Sequence, residues 1–233
     1  MIAHKVDALI VQTVSVDSLE HDIAMAKSAG IPVFLTSVVP DDTSSILGAV
    51  VVDLKKAGQL DAGWIEDDAA GRDVQVGIIA GAPGAASDLL AGGFEKALPA
   101  NADVVAEQPG MFSPVKARGV AEDMIQAHPD LDYAFVANEE MGFAVRKAFD
   151  AAGRKDVKIV TVNGTDEGLA ALKDGRFSAT VSNSAADTGE LAVTNAIDLL
   201  RGRKADRIAK TPAALITKDN ADTAPLYCPM DFH

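Results

Sequence analysis

Short runs of β-branched and aliphatic residues alternate along the chain with longer stretches whose apolar positions recur every three or four residues. Val6–Gln12 is apolar enough for a buried strand, and Val16–Ala29 follows with Leu19, Ile23 and Ala26 at helical spacing. Gly30 stands where such a helix closes in a left-handed residue. Pro32–Ser37 and Ile46–Val52 read as strands, and Lys55–Asp68 as a helix ending near Gly71. The pattern then repeats, with strands at Val74–Ala80, Asp103–Gln108, Tyr133–Ala137, Val157–Val162 and Ser178–Ser182. Between them lie helices at Ser87–Leu98, Ser113–Ala127, Met141–Ala152 and Glu167–Asp174. Pro114 occupies a first helical position, where its missing N–H costs nothing. A helix at Thr188–Arg201 and a strand at Ala213–Thr217 complete the series. Such alternation predicts an α/β protein with doubly wound parallel sheets and helices on both faces.

Sheets of this kind take their ligands beyond the carboxyl ends of the strands. The last three strands of the regular series lead into Asn138, Asn163 and Asn183. An asparagine side chain donates and accepts without charge, which suits the neighbouring hydroxyls of a neutral polyol. The same residue caps helices and tolerates left-handed backbone, so a structural reading stands beside the binding one. Phe112, just after the strand Asp103–Gln108, is placed to cover the apolar face of a ring.

Charge narrows the partners. With 21 basic and 34 acidic side chains the net charge is −13, and no basic run is present to neutralise nucleic-acid phosphates or anionic lipid. Small molecules or proteins remain. The single cysteine, Cys228, excludes an internal disulfide, and no apolar stretch reaches the ~18 residues of a membrane span. Met1–Lys5 runs straight into a strand with no cleavage site of the secretory kind, so a leader is expected to lie outside this sequence. Catalytic machinery is not visible. The turn Gly81–Ala86 follows a strand but fits neither phosphate-loop spacing, and Pro83 removes a donor. His4, His21, His128 and His233 do not pair at metal-ligand spacing. The adjacent Glu139 and Glu140 read as one solvated carboxylate and one at a helix start, where negative charge is favoured. The expectation is a protein that is not an enzyme, with no cofactor and no metal.

Four runs carry a family likeness: "VDALIVQTVSVDSLEHDIAMAKSAGIPVF", "YAFVANEEMGFAVRKAFDAAGR", "VKIVTVNGTDEGLAALKDGRFSATVSNSA" and "GELAVTNAIDLLRGR". Together they resemble the type I periplasmic sugar-binding proteins of ABC transporters, the ribose-binding-protein-like group, over nearly the whole chain. The most specific parts are Asn138-Glu139-Glu140-Met141, the Gly164-Thr165 turn, and Asp174-Gly175-Arg176 followed by Ala179-Thr180-Val181. The resemblance implies the two-lobed type I fold, a small neutral polar ligand, an ABC permease as partner and a periplasmic or extracytoplasmic location. It implies sugar-contacting roles for Phe112, Asn138 and Asn183. Asn163 stands where ribose-type relatives carry an Asp, Ser37-Val38 where they carry Asp-Arg, and Asp88 close to where they carry an Arg. Fewer charged contacts point away from an ordinary pentose or hexose and toward a polyol or modified sugar.

The expected division is an N-terminal lobe over 1–53, a ligand-binding lobe over 54–184 and a segment over 185–233 that crosses back and ends in a tail. Relatives of this group begin with a βαβ unit ahead of the segment matching Met1–Gln12, so the first lobe is expected to be incomplete. An exposed apolar strand edge follows, and with it weak sugar binding and self-association. Two other roles share the architecture, the effector-binding core of lac-repressor-type regulators and a ligand-sensing subunit for a membrane receptor. The first requires a helix-turn-helix headpiece that these residues lack.

Overall fold

The computed structural model describes residues 4, 6–225 and 227; Cys228 and His233 lie outside them. In chain order the elements are β1 (Leu9–Gln12), α1 (Glu20–Ser28), β2 (Val33–Ser37), β3 (Gly48–Val52), α2 (Leu54–Ala69), β4 (Val74–Ala80) and α3 (Ala85–Glu95). There follow β5 (Ala102–Pro109), α4 (Pro114–Ala127), β6 (Tyr133–Val136), α5 (Glu139–Ala151), β7 (Lys158–Asn163) and α6 (Asp166–Asp174). The series ends with β8 (Ala179–Ser182), α7 (Ala185–Leu200), β9 (Ile208–Thr211) and β10 (Ala214–Thr217). Two compact units result. One takes the chain up to residue 53 with 84–86 and 185–212; the other takes 54–83, 87–184 and the chain from 213 onward.

The first unit is built on a parallel sheet of order β1-β2-β3-β9. Ile23 and Ala26 of α1 pack one face against Val33, Leu35 and Ala49. Ala192 and Ala196 of α7 cover the other against Phe34 and Val50. Among the described residues no strand pairs with the outer edge of β1, and Ile10 on it is 46 % exposed.

The second unit carries a six-stranded sheet of order β10-β8-β7-β6-β4-β5. Its central strand β6, Tyr-Ala-Phe-Val, is buried at every position, as a parallel strand covered on both faces requires. Phe135 stacks on Phe94 of α3 with ring centroids 4.4 Å apart, and burying a side chain of that size stabilises by about 2–3 kcal/mol. Helix α2 packs over β7, β8 and β10 and buries Ala57, Asp61, Ala62 and Ile65. Asp61 is fully buried, and neither of its carboxylate oxygens has a partner among the described residues. Burial, and after it the negative charge of Glu139, pushes this carboxyl well above the ordinary range.

Four features depart from the sequence reading. Helix α1 begins only at Glu20, because Asp17–Leu19 forms a 3₁₀ turn ahead of it. Strand β9 was not anticipated: it has four residues, lies at a sheet edge and exposes Ile208 and Lys210, so it lacks the apolar run of a buried strand. Strand β10 runs antiparallel to β8, Ala214 opposite Ser182, so the larger sheet is mixed rather than purely parallel. The return to the second unit at residue 213 also divides the 185–233 segment between the two units.

Candidate functional site

Hydrophobic burial fixes the register of β8, β7, β6 and β4, and that register carries the residues just past their carboxyl ends into a row. Asn163 is the last residue of β7, opposite Ser182 of β8, and its carbonyl accepts the Asn183 N–H at 3.2 Å. On the other side, Asn163 Oδ1 accepts the Glu139 N–H at 3.4 Å. Asn138 precedes it and caps α5, its Oδ1 accepting the Met141 N–H at 2.8 Å. Ala137 N–H donates to the Ile79 carbonyl, which sets the Asn138 strand end beside Gly81. The three asparagines thus stand on three neighbouring strands of one sheet.

Asn138 and Asn163 each have part of their side-chain hydrogen-bonding capacity in use. The cap occupies Asn138 Oδ1 and the Glu139 amide occupies Asn163 Oδ1, leaving both Nδ2 groups as donors. Asn183 Oδ1 is buried and has no partner among the described residues. Leaving a buried acceptor unmet costs roughly 1–3 kcal/mol.

Phe112 reaches the row by a strained turn. Gly110 N–H donates to the Ala80 carbonyl at 2.7 Å and Ser113 N–H to the Gly110 carbonyl at 3.0 Å. Between them Met111 and Phe112 both hold positive φ, 60° and 51°. The turn lays the Phe112 ring on Gly81, where a Cβ would collide with it. Among the described residues, non-glycine positive φ occurs at Ser37, Ala70, Met111, Phe112 and Asn163. Four of these five follow or close a strand at its carboxyl end, and three are residues singled out from the sequence. Strain of this kind, at roughly 1–3 kcal/mol each, persists where the surroundings over-determine it.

The other two candidates lie elsewhere. Asp88 is exposed in the first turn of α3 and lines a cavity of about 520 Å³ with Gly81, Ser87, Glu107 and Gln108, so it shares only the Gly81 strand end with Phe112. Ser37 closes β2 in the first unit with φ 82°.

Glu139 carries a role that the sequence reading passed over. Glu140 beside it is exposed, whereas Glu139 is 1 % exposed. Its Oε1 accepts from Gly164 N–H at 2.9 Å and the Thr180 hydroxyl at 2.6 Å; its Oε2 accepts from Thr165 N–H at 2.9 Å and the Thr165 hydroxyl at 2.5 Å. Gly168 must lack a side chain, since a Cβ there would strike this carboxylate. The signal in the sequence was the Gly164-Thr165 turn and Gly168 three residues later, small residues that leave room for a buried acid. Among the described residues no cluster of His, Cys, Asp or Glu is placed to hold a metal ion.

Residues 1–204 match the model of the periplasmic binding protein domain. The ribose import binding protein of Bacillus subtilis is 30 % identical over 94 % of this chain and 71 % of its own length. The xylitol-binding protein of Mycolicibacterium smegmatis is 31 % identical over 96 % of this chain and 65 % of its own. A Mycobacterium smegmatis structure in complex with β-D-fucofuranose superposes with a TM-score of 0.88 at 28 % identity, covering 95 % of this chain and 76 % of that one.

Proposed function

Since the chain belongs to the periplasmic binding protein family, we propose that it captures a neutral polyhydroxy solute, a sugar or a polyol, for an ABC transporter. The observation that carries this reading is the row of Asn138, Asn163 and Asn183 on adjacent strand ends. Two free Nδ2 donors and one unmet Oδ1 acceptor match hydroxyls, each of which both accepts and donates. Phe112 offers its ring to the C–H face of the solute. Among the described residues no cation reaches this row, and the buried Glu139 carboxylate is spent on four donors of the chain itself, which favours a ligand without formal charge; Asp88, whose cavity shares the Gly81 strand end, is assigned to its periphery, and Ser37 belongs to the first unit. Named relatives that bind ribose, xylitol and β-D-fucofuranose support the same class. Import binding proteins among them do not favour the regulator-core reading.

The same proposal gives the protein a permease partner and an extracytoplasmic site of action. It includes pairing of a second copy along the outer edge of β1, where Ile10 is half exposed; a monomer by light scattering at all concentrations removes that part. Calorimetry with ribose, xylitol and ribose 5-phosphate tests the ligand class. The expected result is saturable binding of a neutral compound, weak (roughly micromolar to millimolar), with the phosphate rejected. Absence of binding to every neutral sugar and polyol, or preference for the anion, overturns it.

A further inference from the structure

Resting on that reading of the site, we propose that Glu139 is its positioning residue, a buried carboxylate that sets the spacing of the three asparagines without touching the solute. Its partners are distributed over the three strands that lead to the asparagines. Glu139 itself follows Asn138; Gly164 and Thr165 follow Asn163; Thr180 lies three residues before Asn183 on β8. The Glu139 N–H adds a direct hold on Asn163 Oδ1. One side chain therefore ties the ends of β6 and β7 to the body of β8, two residues before the Asn163–Ser182 pair.

Fold stability alone does not call for this arrangement. Withdrawing a carboxylate from water is expensive and is offset only when its oxygens are fully bonded; here four donors meet two oxygens. The Thr165 hydroxyl is used twice, donating to Glu139 Oε2 and accepting from Gly168 N–H at 3.0 Å as the cap of α6. A chain of hydrogen bonds of this kind stiffens both helix starts together. It also explains the cost carried at Asn163, whose positive φ is held between the Glu139 amide on one side and Gly164, bonded to the Glu139 carboxylate, on the other.

Glu139→Gln tests the assignment, because it keeps the shape and sets an amide NH₂ against donors. The readouts are the ¹⁵N relaxation of the three asparagine side-chain amides in the free protein and calorimetry with ribose and xylitol. The expected result is a folded variant in which all three side-chain amides lose order and affinity falls about 10- to 100-fold, the range of charged hydrogen bonds. Changes confined to the Gly164 and Thr165 backbone amides, with the asparagine side chains as ordered as before, overturn the assignment. Should Glu139→Gln not fold, Thr180→Val removes one of the four bonds, and the expected loss of order at Asn183 or its persistence decides in the same way. If the unaltered protein binds neither solute while Glu139→Gln still loosens the asparagines, the ligand class is wrong and the positioning role stands.

Discussion

Replacing Asp61 with alanine should stabilise this protein, against the usual direction for a buried position. The Asp61 carboxyl, on the inner face of α2, has no hydrogen-bond partner among the described residues, and burial raises it well above the ordinary value. In the unfolded chain it ionises near its ordinary 3.8. The folded state then binds the extra proton, so this group's contribution is most favourable below 3.8 and is lost as pH rises above it, by up to about 1.4 kcal/mol per pH unit. To this pH-dependent cost is added the desolvation of a carboxyl whose oxygens are unmet, roughly 1–3 kcal/mol. Alanine removes that cost and leaves a carboxyl-sized void of roughly 25–30 Å³, worth about 0.7 kcal/mol. A net stabilisation of about 1–3 kcal/mol at pH 7 is expected, and it shrinks as pH falls toward 3.8. Urea unfolding followed by fluorescence reads the difference well, because the one tryptophan, Trp64, lies on the same helix. A variant less stable at pH 7, or a difference that does not change between pH 4 and pH 8, refutes the account of Asp61.

Three further expectations follow from the site and its surroundings. Asn138→Asp keeps the α5 cap but removes the Nδ2 donor, so stability should stay within about 0.5 kcal/mol while solute affinity falls about 10-fold by calorimetry. Gly81→Ala displaces the Phe112 ring from its seat, and loss of affinity should exceed any shift in melting temperature. Asp68 accepts from Lys158 Nζ at 2.6 and 2.7 Å and from the Tyr133 hydroxyl at 2.5 Å. Burial raises its carboxyl, but the bonds from Lys158 and Tyr133 outweigh this and hold it below the ordinary value. That stabilisation is present above 3.8 and lost as pH falls. Asp68→Asn should therefore cost about 1 kcal/mol at pH 7 by urea unfolding, and the two proteins should converge as pH falls below 3.8.

The elements that could be read from the chain are those whose side chains are buried on every face or on one helical stripe. The Tyr-Ala-Phe-Val run of β6 and the Ser113-Pro114 start of α4 are cases in point. Strand β9 escaped because an edge strand with one solvated face carries no apolar run. The asparagines were legible as strand-end residues, but their division between capping and free groups was not, since it depends on which backbone N–H each Oδ1 meets. Glu139 and Glu140 are indistinguishable in one dimension; only the packing of α6 through Gly168 decides which is enclosed. Asp61 was in principle visible, because Ala57, Asp61, Ile65 and Ala69 recur every four residues on one face of α2. Positive φ at Met111 and Phe112 has no sequence signature, since neither residue favours it.

A crystal structure of the protein soaked in xylitol or ribose examines the central claim directly. The account places hydroxyl oxygens within hydrogen-bond reach of the Nδ2 groups of Asn138 and Asn163, with the carbon face of the solute against Phe112. Solute bound elsewhere, with the asparagines keeping only the bonds they make within the chain, would contradict it.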